Sequence, residues 1–85
     1  MKIEMREKKD WNDLNEPGDY LMATRPDESK FPVIVCPKCL RPGGCPQHTL
    51  MSEKPLTIAP SFRCVSDGGR TCWHGWVKNG VMEEV

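Results

Sequence analysis

The chain has 85 residues, with 12 basic and 12 acidic side chains and a formal net charge of zero. A domain of this length hides only roughly 60–65% of the surface that its extended chain exposes, so an apolar core alone stabilises it marginally. The even charge excludes a densely basic surface of the kind that coats phosphate backbones, and no stretch approaches the roughly twenty apolar residues of a membrane span.

The N-terminal segment, residues 1–16, mixes charged side chains with few apolar ones. It predicts a partly ordered arm ahead of a single domain over residues 17–85. The charges interleaved among its first apolar residues do not resemble a signal peptide, so we expect a cytoplasmic protein whose thiols stay reduced.

Two strands are predicted next. The turn signal Pro17-Gly18-Asp19 leads into an apolar run at residues 20–24. A second turn at 25–29 leads into a β-branched run at 31–35, which ends directly before Cys36. A strand that ends directly before a cysteine pair is typical of a zinc ribbon.

The rest of the chain predicts a loop and then a β-meander. Residues 40–52 are rich in proline and glycine and indicate an irregular loop, and a strand at 56–59 is interrupted by Pro60. Runs at 62–65, 72–77 and 81–82 are separated by turn signals at 66–70 and at Asn79-Gly80. The predicted fold is small and mostly β, a zinc-ribbon-like antiparallel sheet with irregular loops and a C-terminal meander.

Cysteine spacing predicts a Zn²⁺ site. Cys36 and Cys39 form a Cys-x-x-Cys pair whose sulfurs can face one ion, and the five cysteines of the chain suit metal binding better than disulfides, which would leave one thiol over. Two further ligands must come from the distal hairpin. Cys64 and Cys72 could meet on facing strands, or Cys72 and His74 could share one face of a strand, so the fourth ligand stays open between Cys64 and His74.

A weaker pair, Cys45 and His48, has Cys-x-x-His spacing but lies in the glycine-proline loop. We interpret it as a free thiol and an exposed imidazole.

Two tryptophans flank His74-Gly75. Trp73 and Trp76 are three residues apart, so on a strand they face opposite ways, and one should pack over the metal hairpin while the other reaches solvent. An exposed tryptophan is a common anchor for a protein partner. The alternative is that both are buried, one on each side of a thin sheet.

Catalysis is not expected. Neither histidine is followed by the glutamate of the zinc deaminase pattern, and Leu40-Arg41-Pro42 cannot begin the helix that activates a thioredoxin-like cysteine.

A nucleic-acid contact module is the main alternative to a protein-binding module, and a small zinc enzyme is the third alternative. The basic residues that could contact nucleic acid are Lys38, Arg41, Arg63, Arg70 and Lys78.

The residues at 56–62, and Cys72-Trp73-His74-Gly75 with the closing Asn79-Gly80, resemble a family of small zinc-ribbon-like proteins of bacteriophages and prophages. Pro17-Gly18-Asp19 is similar to the strand-opening turn of that family. The resemblance implies a phage-borne zinc-binding β domain and points to no particular activity. We therefore expect a domain that acts by binding, as a phage accessory protein that engages a host or phage protein. In the family pattern a residue often separates the cysteine from Trp-His, whereas here Cys72 is directly followed by Trp73.

Overall fold

The computed structural model describes residues 2–65 and 68–85, and most of them lie in β-strands. In these ranges the strands are β1 (Lys2–Glu4), β2 (Arg6–Glu7), β3 (Asp19–Thr24), β4 (Lys30–Val35), β5 (Pro42–Gly44), β6 (Thr49–Glu53), β7 (Leu56–Ala59), β8 (Phe62–Val65), β9 (Thr71–Lys78) and β10 (Val81–Glu84). One 3₁₀ turn covers Trp11–Asp13, and its N-terminus is capped by Asp10. The prediction of a small, mostly β domain is confirmed. In the described ranges no helix is long and apolar enough to cross a membrane.

The C-terminal sheet has the strand order β1-β10-β9-β8. Its last three strands pair antiparallel in sequence order, so the predicted C-terminal meander is confirmed. The predicted reversal at 66–70 falls partly on residues 66 and 67, which lie outside the described residues. A bulge interrupts the β8–β9 ladder between Cys64 and Val65.

The N-terminal sheet has the order β2-β3-β4-β5. The predicted strands at 20–24 and 31–35 form its centre and pair antiparallel. The short segment before them joins both sheets, because β1 pairs with β10 and β2 pairs with β3.

The prediction of an irregular loop over residues 40–52 is wrong in part. β5 pairs with β4, and β6 pairs with β7 as a small hairpin. A β-carbon on Gly44 would lie only 3.3 Å from the Phe31 ring, so glycine lets this strand approach an aromatic side chain closely. Pairing with the neighbouring strands β4 and β7 overrides the loop-like composition.

The main core lies where the two sheets and the small hairpin meet. Its fully buried members include Ile34 from the N-terminal sheet, Leu56 from the small hairpin, and Val77 and Met82 from the C-terminal sheet. A second cluster of Leu14, Leu21, Val33 and Val35 covers the other face of the N-terminal sheet. The chain changes sheets at Pro60, where the sequence predicted an interruption.

Candidate metal centre

The first cysteine pair lies in a tight turn after β4. Cys36 is fully buried, and its Sγ accepts a hydrogen bond from the backbone N–H of Lys38 at 3.4 Å. The N–H of Leu40 donates to the carbonyl of Cys36 at 3.0 Å, and Leu40 takes a left-handed conformation with φ 63°. This turn aims backbone donors at sulfur, which stabilises thiolates.

The second pair lies on the β8–β9 hairpin. Cys64 pairs with Trp73 and Val65 pairs with Thr71, so Cys72 is the extra residue in the bulge. A bulge re-aims a side chain relative to a regular ladder. The bulge lets the side chain of Cys72 point toward the other sulfurs, while the side chain of the next residue, Trp73, packs in the core.

The four sulfurs form one group. Cys36 Sγ lies 3.8 Å from Cys72 Sγ, and Cys39 Sγ lies 3.6 Å from Cys64 Sγ. All four lie within 4.8 Å of one another. A disulfide would need a sulfur–sulfur distance of about 2.05 Å. Sulfurs bound to tetrahedral zinc at about 2.3 Å are separated by about 3.8 Å, so the observed spacing fits four thiolates around one ion.

The electrostatics of the group favour a cation at its centre. A hydrogen bond from the backbone of Arg41 lowers the pKa of Cys39 to about 6. Burial, with the neighbouring thiols Cys36 and Cys39, raises the pKa of Cys64 and Cys72. Four thiolates this close together repel one another, and a divalent cation between them removes that cost.

His74 lies outside the sulfur group. Its Nε2 lies 2.6 Å from the hydroxyl of Ser61, and the Nε2 of His48 lies 2.8 Å from the carbonyl of the same residue. Both histidines of the chain therefore hydrogen-bond to Ser61, which lies between β7 and β8. In residues 2–65 and 68–85 the group of potential metal ligands contains Cys64 and not His74.

Cys45 lies between β5 and β6 as a free thiol that is buried in the main core. It is 2% exposed, and burial raises its pKa to about 12. Its backbone N–H donates to the carbonyl of Pro32. The prediction of a free thiol at Cys45 is confirmed, but its burial was not predicted, because Cys45 directly follows β5, a strand that the glycine-proline composition did not indicate.

The two tryptophans differ in exposure. Trp73 is 4% exposed and packs against Phe62 at a ring-centroid distance of 6.1 Å, so it offers no surface to a partner. Trp76 is 48% exposed. Gly75, between them, is a residue whose role the sequence analysis missed, because a β-carbon there would overlap the Trp73 ring and lie 2.5 Å from the Glu83 carbonyl.

Two grooves adjoin these elements. One, of about 220 Å³, runs between β5 and β8 and is lined by Arg41 and Arg63, two of the residues considered for nucleic-acid contact. Arg63 Nε donates to Thr71 across the hairpin, and Arg41 is hydrogen-bonded to Cys39. The other, of about 580 Å³, lies between the small hairpin and the C-terminal sheet and is lined by Trp76.

No protein-family model, curated protein or solved structure matches the chain.

Proposed function

We propose that Cys36, Cys39, Cys64 and Cys72 hold one Zn²⁺ ion and that this ion is structural. The observation that carries the proposal is the spacing of the four sulfurs, which matches the edge of a zinc–thiolate tetrahedron. Four thiolates fill all four positions of tetrahedral zinc. A catalytic zinc site keeps one position open for water, so this ligand set supports a structural role.

The ion would join the two halves of the fold. Cys36 and Cys39 lie in the turn between β4 and β5 of the N-terminal sheet, whereas Cys64 and Cys72 belong to the C-terminal sheet. A small core stabilises a chain of this length only marginally, and the free energy of zinc binding then becomes free energy of folding.

The domain itself would act as a protein-binding module in the cytoplasm. The exposed Trp76 supports this role, because tryptophan is enriched among the residues that dominate binding energy at interfaces. The resemblance of residues 56–62 and 72–80 to small phage proteins supports a phage accessory protein that engages a host or phage protein. The unpaired thiols at all five cysteines suit a reducing compartment.

Native mass spectrometry of the purified protein tests the metal proposal. The folded protein should carry one zinc ion, lose it to a strong chelator, and shift to highly charged, unfolded ions as it does so. Cobalt substitution should give the absorption bands of a tetrahedral ion bound by thiolates. A metal-free protein that keeps a compact charge-state distribution would contradict the proposal.

A nucleic-acid role would give a different result in the same preparation. The Arg41 and Arg63 groove would then bind oligonucleotides, with an affinity that falls steeply as salt increases. We expect no such binding, because both guanidinium groups already make contacts within the domain.

A further inference from the structure

The larger groove, which we call the Trp76 groove, is lined by two exposed apolar side chains, Trp76 on β9 and Met51 on β6, which are 48% and 66% exposed. Its floor is the backbone of β7 and β9 at the core residues Ile58 and Val77, which also line it and are 4% and 1% exposed. A volume of about 580 Å³ lies within the range of roughly 300–1,000 Å³ of pockets that bind ligands.

The floor of the groove is fixed by hydrogen bonds between its two sides. The backbone N–H of Asn79 donates to the Thr57 hydroxyl at 2.9 Å, and the N–H of Gly80 donates to the Leu56 carbonyl at 2.8 Å. The groove is therefore formed before a partner arrives, and a preformed site loses less entropy on binding.

Of the two lysines that line the groove, one pairs with a carboxylate that also lines it, and the other forms no ion pair among the described residues. Lys2 and Lys78 are the basic lining residues, and Lys2 Nζ lies 3.6 Å from a carboxylate oxygen of Glu83, which also lines the groove. Lys78 makes no ion pair within the part of the chain that the structure describes. A ligand carboxylate would complement it.

We infer that the Trp76 groove binds an acidic peptide segment, which inserts one large apolar side chain between Trp76 and Met51 and places a carboxylate on Lys78. Tryptophan supplies a rigid contact surface, and methionine adapts to the shape of the inserted side chain. One lysine that forms no ion pair among residues 2–65 and 68–85 suits a carboxylate better than a nucleic-acid strand, which needs several cations along its backbone. This inference rests on the proposed role as a protein-binding module.

The groove and the metal centre can be tested apart. Trp76 lies four residues beyond Cys72 on β9, which corresponds to about 13 Å along a strand. Substitutions at the groove should therefore leave one bound zinc ion, and native mass spectrometry of each variant checks this.

A library of random twelve-residue peptides, selected in vitro on the zinc-loaded protein, tests the inference. We expect enrichment of peptides that carry an aromatic or large aliphatic residue close to Asp or Glu. Trp76→Ala should weaken the selected peptides about tenfold or more, because an interface anchor of this type contributes over 1.4 kcal/mol. Peptides selected on Lys78→Glu should carry a basic residue, instead of an acidic one, close to their large apolar residue.

Matched controls use residues of the same type elsewhere on the surface. Trp11→Ala removes a tryptophan that is 59% exposed, and Lys54→Glu reverses a lysine that pairs with Glu7. Both should leave affinity and preference unchanged.

Three results would overturn the inference. They are a lack of enrichment on zinc-loaded protein, enrichment that survives Trp76→Ala, and a Lys78→Glu variant that keeps the acidic preference. Competition by an oligothymidine that requires Trp76 would assign the groove to nucleic acid instead. If the protein never binds zinc but still selects such peptides through Trp76, the metal proposal is contradicted and the inference about the groove is supported.

Discussion

The sulfurs of Cys36 and Cys72 lie 3.8 Å apart although 36 residues separate them in the chain. One follows the last central strand of the N-terminal sheet and the other lies in the bulge of the C-terminal sheet. Besides this sulfur group, the sheets are joined by the β1–β2 segment, which pairs with both, and by the apolar core to which both contribute. A metal ion bound by these sulfurs would add a further link between the sheets, so their relative position should depend in part on that ion.

Removing one sulfur should remove both the metal and much of the stability. We expect Cys72→Ser to lose stoichiometric zinc and to unfold at a much lower temperature, because structural zinc contributes on the order of 10 kcal/mol to small domains. Circular dichroism melting with metal analysis measures both effects. Cys45→Ala is the matched control, since that cysteine is a core residue outside the sulfur group, and it should keep one zinc ion. Equal metal loss in the two variants would contradict this prediction.

Gly75→Ala should destabilise the domain strongly. The new β-carbon would overlap the Trp73 ring and lie 2.5 Å from the Glu83 carbonyl oxygen, and neither the buried ring nor the paired strand β10 can move away easily. We expect a loss on the order of 3 kcal/mol in the free energy of unfolding, at the upper end of overpacking effects. Urea unfolding of the zinc-loaded protein measures it.

The control for that substitution is Gly43→Ala on β5. A β-carbon there would make only ordinary contact with the Phe62 ring, at 3.8 Å. Its effect should stay below about 1 kcal/mol, in the range of a surface substitution. Similar losses at both glycines would show that Trp73 does not constrain position 75.

Local patterns predicted most of the fold and three of the four clustered cysteines without alternatives. The β-branched run before Cys36 and the Asn79-Gly80 corner each specify their element through short-range geometry. The choice between Cys64 and His74 could not be made from spacing, because it depends on a bulge that shifts Cys72 by one position relative to β8. The strand β5 was missed for a related reason: its residues are selected by contact with aromatic rings distant in sequence, and not by β-propensity.

Asp19 should stabilise the start of β3 through its carboxylate. Burial alone would raise the pKa of Asp19, but hydrogen bonds from the N–H groups of Glu16 and Asn15, at 3.0 and 3.2 Å, together with the nearby cations, lower the pKa below the ordinary value of an aspartate. Asp19→Asn should cost about 1–2 kcal/mol at pH 7, as loss of a capping carboxylate does.

The pH dependence follows from the direction of that shift. Because the pKa is lower in the folded state, the stabilisation is complete above the unfolded pKa of about 3.9 and disappears as the pH falls through the folded pKa. The difference in unfolding free energy between the wild type and Asp19→Asn should stay constant from pH 7 to about 5 and shrink below about 4. Taking this difference at each pH cancels the effect of zinc release in acid. Asp13→Asn, at an exposed position of the 3₁₀ turn, is the matched control and should change the free energy of unfolding at pH 7 by less than about 0.5 kcal/mol.

Leu40→Gly should stabilise the turn that holds Cys36 and Cys39. Leu40 has φ 63°, and its side chain is 47% exposed. The left-handed backbone at this residue therefore destabilises the turn, and burial of the side chain does little to offset that cost. That cost is about 1–2 kcal/mol for a residue with a β-carbon, and glycine avoids it while losing roughly 0.5–1 kcal/mol in chain entropy. The net gain should be about 0.5–1 kcal/mol, measured by urea unfolding of zinc-loaded protein, with a parallel rise in zinc affinity against a competing chelator. Leu40→Ala is the matched control because it removes the same side chain and keeps the strain, and a Gly variant no more stable than the Ala variant would show that this turn is not strained.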